Sequence, residues 1–183
     1  MVLKKIVGIL LSVLILFSLC GCDLFSGDTA ELLMPPSLSG DLAPIAVAID
    51  ESAGGSYTFK YPSRGEFRSA VVQRDINADG VFEAFAFYSM NDGENITMHI
   101  NAIALEDGRW ISVSQQKIVA GGVDMIEFCD LDFDGIEEIL VGLEIYGTSE
   151  MQLAVYSMGE DSLNQRMLEK YTHFLTCDLN QND

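Results

Sequence analysis

Two nine-residue stretches concentrate the side-chain oxygens of this chain: Asp75-Ile-Asn-Ala-Asp-Gly-Val-Phe-Glu83 and Asp130-Leu-Asp-Phe-Asp-Gly-Ile-Glu-Glu138. Both read D-x-[DN]-x-D-G-x-x-E. Side chains at positions 1, 3, 5 and 9 can converge on one cation: Asp75, Asn77, Asp79 and Glu83 in the first loop, and Asp130, Asp132, Asp134 and Glu138 in the second. The backbone carbonyl at position 7, from Val81 or Ile136, can add a further oxygen, and the Gly at position 6 permits the sharp turn. Hard oxygen ligands on a flexible loop suit Ca²⁺ better than Mg²⁺ or zinc. The same pattern can also serve as a surface turn with no ion. The second loop offers four carboxylates and the first offers three, with a neutral Asn at position 3.

The flanks decide what kind of loop this is. An EF-hand needs a bidentate Glu at position 12 and helices on both sides. Position 12 here is Ala86 or Val141. Phe85-Ala-Phe-Tyr88 and Ile139-Leu-Val-Gly-Leu143 follow the loops, and Ala70-Val-Val-Gln73 and Met125-Ile-Glu-Phe128 precede them. Such short apolar runs, rich in aromatic or branched residues, predict buried strands.

The loops also recur at regular spacing. Asp75 to Asp130 is 55 residues, and Asp130 to Asp178, where Asp178-Leu-Asn-Gln-Asn-Asp183 starts the pattern again, is 48. Periods of this size suit a four-stranded repeat. In the first unit the expected strands are 81–90, 96–105, 110–114 and 123–128. Turns at Asn91-Asp-Gly-Glu94 and Glu106-Asp-Gly-Arg109 separate them, and Asp-Gly is a strong hairpin signal. In the second unit they are 139–146, 151–158, 163–171 and 173–177.

A calcium loop between two strands, repeated at this spacing, resembles the FG-GAP or VCBS repeats of integrin-type β-propellers over about Ser69 to Asp183. It does not resemble the helical dockerin repeats that share its opening residues. The resemblance implies an all-β fold: an incomplete propeller-like array of about two four-stranded blades, cut off inside a third repeat, with Ca²⁺ held by the loops. A short helix over Pro44–Ala53 should precede the array. Pro44 suits the first helical turn, Ile45, Ala48 and Ile49 share one face, and Gly54-Gly55 ends it. That face is expected to pack on the first blade.

The N-terminus reads as an export signal. Lys4 and Lys5 precede the apolar stretch Ile6–Cys20. Its 15 residues fall short of the roughly 20 needed to span a bilayer, but they suit a signal-peptide core. Leu19-Cys-Gly-Cys22 resembles a bacterial lipobox. That resemblance implies cleavage after residue 21, a diacylglyceryl group on Cys22, and anchoring on the outer face of the bacterial cell membrane, where two acyl chains hold stably. An ordinary secretory signal is the alternative. The organisation expected is therefore signal 1–21, lipidated tether 22–39, short helix 40–55 and repeats 56–183.

With 28 acidic and 10 basic residues the net charge is −18, and loss of Lys4 and Lys5 makes the remainder two charges more negative. Nothing in such a chain would neutralise phosphates, so nucleic acid is not an expected partner. The membrane contact falls to the lipid. Cys129 and Cys177 each precede the first Asp of a loop pattern. They read as small residues at strand ends, with a disulfide between units as the alternative.

Catalytic constellations are scarce: no GxSxG, HExxH or P-loop pattern occurs. His99 and His173 fall in expected strands and read as structural. Trp110 could stack on a sugar or pack on a neighbouring blade. The favoured function is a non-enzymatic surface lipoprotein that binds a protein or glycan ligand through calcium-stabilised loops. The alternatives are a polysaccharide-acting enzyme whose site lies in further repeats, or a structural accessory of the envelope.

Overall fold

The computed structural model describes residues 38, 40–91, 93, 96–159 and 162–172. The expected signal segment, Cys22, the expected tether apart from Leu38, the expected strand 173–177 and the expected third loop start at Asp178 lie outside the described residues. Among those described, no helix is long and apolar enough to cross a membrane.

The apolar runs on either side of the two loops form antiparallel sheets. The first sheet contains β1 (Tyr57–Phe59), β2 (Val71–Arg74), β3 (Glu83–Asn91), β4 (Ile96–Glu106) and β5 (Arg109–Ile118). The second contains β6 (Gly122–Cys129), β7 (Glu138–Glu144), β8 (Met151–Met158) and β9 (Leu163–Tyr171), in that order. In the first sheet β1 and β2 share one flank of β3, pairing with Tyr88–Met90 and Glu83–Ala86 respectively. Each unit therefore has four strand positions, and β3–β4–β5 matches β7–β8–β9. The match extends to a register shift in the last pair, at Ala102/Ile103 in one unit and Val155/Tyr156 in the other. The fold is thus mostly β, with two antiparallel sheets and one short helix, and the sheets form no closed ring among the described residues.

The two strand faces bury different partners because side chains alternate along a strand. Phe85 and Phe87 of β3, with Met98, Ile100 and Ala102 of β4, turn toward the second sheet. There they join Ile126, Ile139, Val141, Leu143, Ala154 and Tyr156 in the main core. Full burial of a side chain such as Phe85 or Ile139 contributes about 1.5–3 kcal/mol relative to leaving it in water. Ala84, Ala86 and Tyr88 point the other way, onto α1 (Ala43–Ala53). The helix starts with Pro44 in its first turn, stops at Gly54 in the left-handed conformation, and buries Ile45, Ala48 and Ile49, as the sequence predicts. Trp110 belongs to this α1 side of the first sheet and not to the neighbouring sheet.

Both edges of the two-sheet stack are stitched. On one edge the segment after β1 crosses to the second sheet: the N–H groups of Ser63 and Arg64 donate to the carbonyls of Val123 and Asp124 at 3.1 and 2.9 Å. On the other edge, Gln116 donates to the Leu163 carbonyl at 2.6 Å, and the Leu163 N–H donates to Ser114 Oγ at 3.0 Å.

Most observed strands start within a few residues of their expected positions. β8 and β9 have the expected bounds, while β3 starts at Glu83, after the loop, and not at Val81. β5 runs on to Ile118, well past Ser114. β1 is only three residues long, and just beyond it the Lys60 N–H still donates to the Phe87 carbonyl of β3 at 2.9 Å.

Gly142, in the middle of β7, marks a close approach. A Cβ added there would stand 2.7 Å from Tyr171 Oη and 2.8 Å from Met125 Cγ. The Tyr171 hydroxyl is itself fixed, donating to Asp124 Oδ2 at 2.6 Å. Gly142→Ala is therefore expected to cost about 1–3 kcal/mol through overpacking. Urea unfolding measures this, and an unchanged midpoint would mean that Tyr171 and Met125 swing aside freely.

Candidate metal loops

Each loop is a turn wound around its own first carboxylate. In the second loop Asp130 accepts the N–H of Asp134 at 3.1 Å on Oδ1 and of Gly135 at 2.9 Å on Oδ2. Asp134 Oδ1 accepts the Ile136 N–H at 2.8 Å, and Glu138 Oε2 reaches back to the Leu131 N–H at 2.8 Å. The first loop repeats the scheme. Asp75 accepts from Asp79 at 3.1 Å and Gly80 at 3.0 Å, Asp79 from Val81 at 2.7 Å, and Glu83 from Ile76 at 3.1 Å. Position 6 takes φ +86° at Gly80 and +90° at Gly135, a region L residues avoid. Position 4 is also left-handed, at Ala78 (φ +57°) and Phe133 (φ +61°).

The loops differ in how they gather their acids. One oxygen each from Asp130, Asp132 and Glu138 lies within 4.8 Å of the others. Ca²⁺ takes oxygens at about 2.3–2.6 Å, so two ligands on opposite sides stand roughly 5 Å apart. Asp130, Asp132 and Glu138 are therefore close enough together to hold one metal ion. Among the described residues the first loop's carboxylates form no such group. There Asn77 turns inward instead, accepting the Asp79 N–H at 3.0 Å and donating to the Asp79 carboxylate at 3.2 Å. Asp134 stands outside the gathered group, committed to the Ile136 N–H. Val81 and Ile136 show their N–H groups in the turns.

Among the described residues, Asp132 is the one gathered acid with no hydrogen bond or ion pair. It is exposed, whereas Glu138 is buried at 6% exposure. In the first loop, burial pushes Glu83 above the ordinary carboxylate range. The Ile76 N–H partly offsets this, and the nearby charges of Asp79 and Asp75 add to it. A shallow cleft opens beside the second loop, lined by Leu131, Asp132, Glu138, Val155, Arg166 and Met167.

The structure adds residues that no sequence motif singles out. Arg74, directly before the first loop, grips Glu137 of the second with two bonds of 2.6 Å. The Glu137 N–H donates to the Ile76 carbonyl at 2.9 Å. The two loops therefore sit side by side, joined through backbone and side chain. The signal was a basic residue abutting an acid-rich loop in a chain with only 10 basic residues. The second such contact is Asp124, which sequence inspection leaves as one acid among many. Cys129 is a free, half-buried thiol whose pKa is raised by burial and by the surrounding carboxylates. Its suggested partner Cys177 lies outside the described residues. His99 is buried, in keeping with a structural reading.

Compared with known proteins, the chain matches no protein family, no curated protein and no solved structure.

Proposed function

We propose that this chain is an exported lipoprotein of the bacterial cell surface, anchored through Cys22, whose paired loops bind Ca²⁺ and present a surface for a protein or glycan ligand. The reading rests on the paired loops above all. Two turns of the same design, nine residues long and 55 apart, are held on adjacent sheets by Arg74 and Glu137, and one of them gathers three carboxylates at calcium spacing. Asp130, Asp132 and Glu138 would hold the ion in the second loop, with Asp134 and the Ile136 carbonyl completing the set. Asp75, Asn77, Asp79, Glu83 and the Val81 carbonyl would form a weaker site. A bound ion would neutralise the loop acids and fix the turns; the chain supplies the scaffold and no catalytic group. By this reading the two sheets are neighbouring blades of a propeller-like array.

Two experiments test it. Growth with a labelled fatty acid should mark the protein, and Cys22→Ala should abolish the mark; label surviving on that variant would reject Cys22 as the lipid site. A glycan and peptide panel probed with the purified chain should show binding that chelator removes. Turnover of a panel member would replace the binding reading with an enzymatic one.

A further inference from the structure

His99 sits where a charge would be hard to accommodate. It is 3% exposed, on the face of β4 that also carries Asn101 and Ile103 toward α1. Its ring stacks on Tyr88 at 5.2 Å between centroids and 14° between planes. Nε2 lies 3.2 Å from the Thr97 hydroxyl, while Nδ1 has no hydrogen-bond partner among the described residues. Asn101 donates to Ser52 Oγ at 2.9 Å, so the end of α1 rests on the same polar patch. On the far side Tyr57 packs against Tyr88 at 5.1 Å and donates its hydroxyl to Asp50 of α1 at 2.7 Å.

The charged and titratable groups around the imidazole do not favour its cation. From β5, Lys117 pairs directly across from His99 and its charge repels an imidazolium; the Gln115 side chain on that strand offers partial relief. From β3, Tyr88 is kept neutral by burial. From α1, Asp50 is engaged by Tyr57 and Glu51 is exposed.

We propose that His99 is an acid-sensitive latch for α1: as the neutral imidazole it lets the helix end seat on the first sheet, and on protonation it unseats it. The sign follows from linkage. Burial, then Lys117, lower the proton affinity of the seated state, so the unseated state binds more protons. Seating is complete well above the ordinary imidazole pKa of about 6.5 and is lost as pH falls below it. The ratio of seated to unseated molecules drops by up to about tenfold per pH unit in that window. Unseating would bare Ala84, Ala86 and Ile103, which the helix now covers.

The single Trp110 packs against this cluster and gives the readout. In the full chain, Trp110 emission and amide exchange over α1 should change reversibly between about pH 7 and 5, while amides of β7 and β8 stay protected. His99→Gln should abolish the change and His173→Gln should keep it. Survival of the transition in His99→Gln would overturn the proposal, as would equal loss of protection in β7 and β8. Should His99→Gln fail to fold, proton NMR of the parent decides. An imidazole midpoint for His99 below that of an unperturbed histidine supports the latch, and one at or above it overturns the proposal.

Discussion

Asp124→Ala is expected to destabilise the chain by about 3 kcal/mol, the lower end of the range for breaking a buried ion pair. The Asp124 side chain is 4% exposed and that of its partner Arg64 46%, and the guanidinium–carboxylate contact closes to 2.6 Å. Arg64 Nε also points at both carboxylate oxygens, at 2.8 Å each, and the Tyr171 and Ser63 hydroxyls donate at 2.6 and 3.3 Å. Removing the carboxylate takes one acceptor from the Tyr171 hydroxyl and leaves hydrogen bonds to backbone carbonyls as the tie between the crossing segment and β6. In a domain of this size each kcal/mol moves Tm by about 2–4 °C, so the drop should be roughly 6–12 °C. Arg64→Ala should cost less, because the Tyr171 and Ser63 hydroxyls still donate to the carboxylate that it leaves behind. The pH dependence has a definite sign. Burial alone would raise the Asp124 pKa, but bonds from Arg64, Tyr171 and Ser63 hold it below the ordinary carboxylate value. Its contribution is present above about pH 4 and is lost as pH falls through the lower folded value. Urea unfolding of the parent and both variants at neutral pH measures the ranking. A larger loss from Arg64→Ala would show that the guanidinium's packing outweighs the carboxylate.

The strands were legible where independent local signals agreed. The hairpins at Asp107-Gly108 and around Gly93 lay open because the turn residues and the apolar runs agreed. The seating of α1 on the first sheet could be read from Ile45, Ala48 and Ile49. The sequence could not show that β1 and β2 divide one flank of β3, since each is only a few residues long and their partner is the same strand. Trp110 was misplaced for a similar reason: a hairpin-end aromatic has two sheet faces open to it, and its register decides between them. The loops were visible as turns from their Asp and Gly spacing. Which acids meet was not, because Asp130 and Asp134 also serve backbone N–H groups and Asp132 serves none. Long-range pairs such as Arg74–Glu137 and Arg64–Asp124 depend on how two sheets stack, and no local pattern encodes that.

Asp132 gives the cleanest handle on the metal. It is exposed and bonded to nothing among the described residues, so Asp132→Ala should leave the melting of the chelated chain unchanged. Its only expected role is as a calcium ligand beside Asp130 and Glu138. Extracellular calcium modules bind at about 10⁻⁴–10⁻³ M. At about 10 mM Ca²⁺ one such site adds roughly 1.4–2.7 kcal/mol to the folded state. That corresponds to a rise of about 3–11 °C in Tm. Mg²⁺, which demands tighter octahedral geometry, should add less. Asp79→Ala should remove a smaller share of the gain, since the first loop does not gather its acids. The deciding measurement is a thermal melt of the full chain and of Asp132→Ala, each with calcium and with chelator. The expected result is a calcium-dependent rise in the parent that Asp132→Ala removes in larger part without altering the chelated melt. A parent that ignores calcium, or a variant that keeps the full rise, would rule out the second loop as a calcium site.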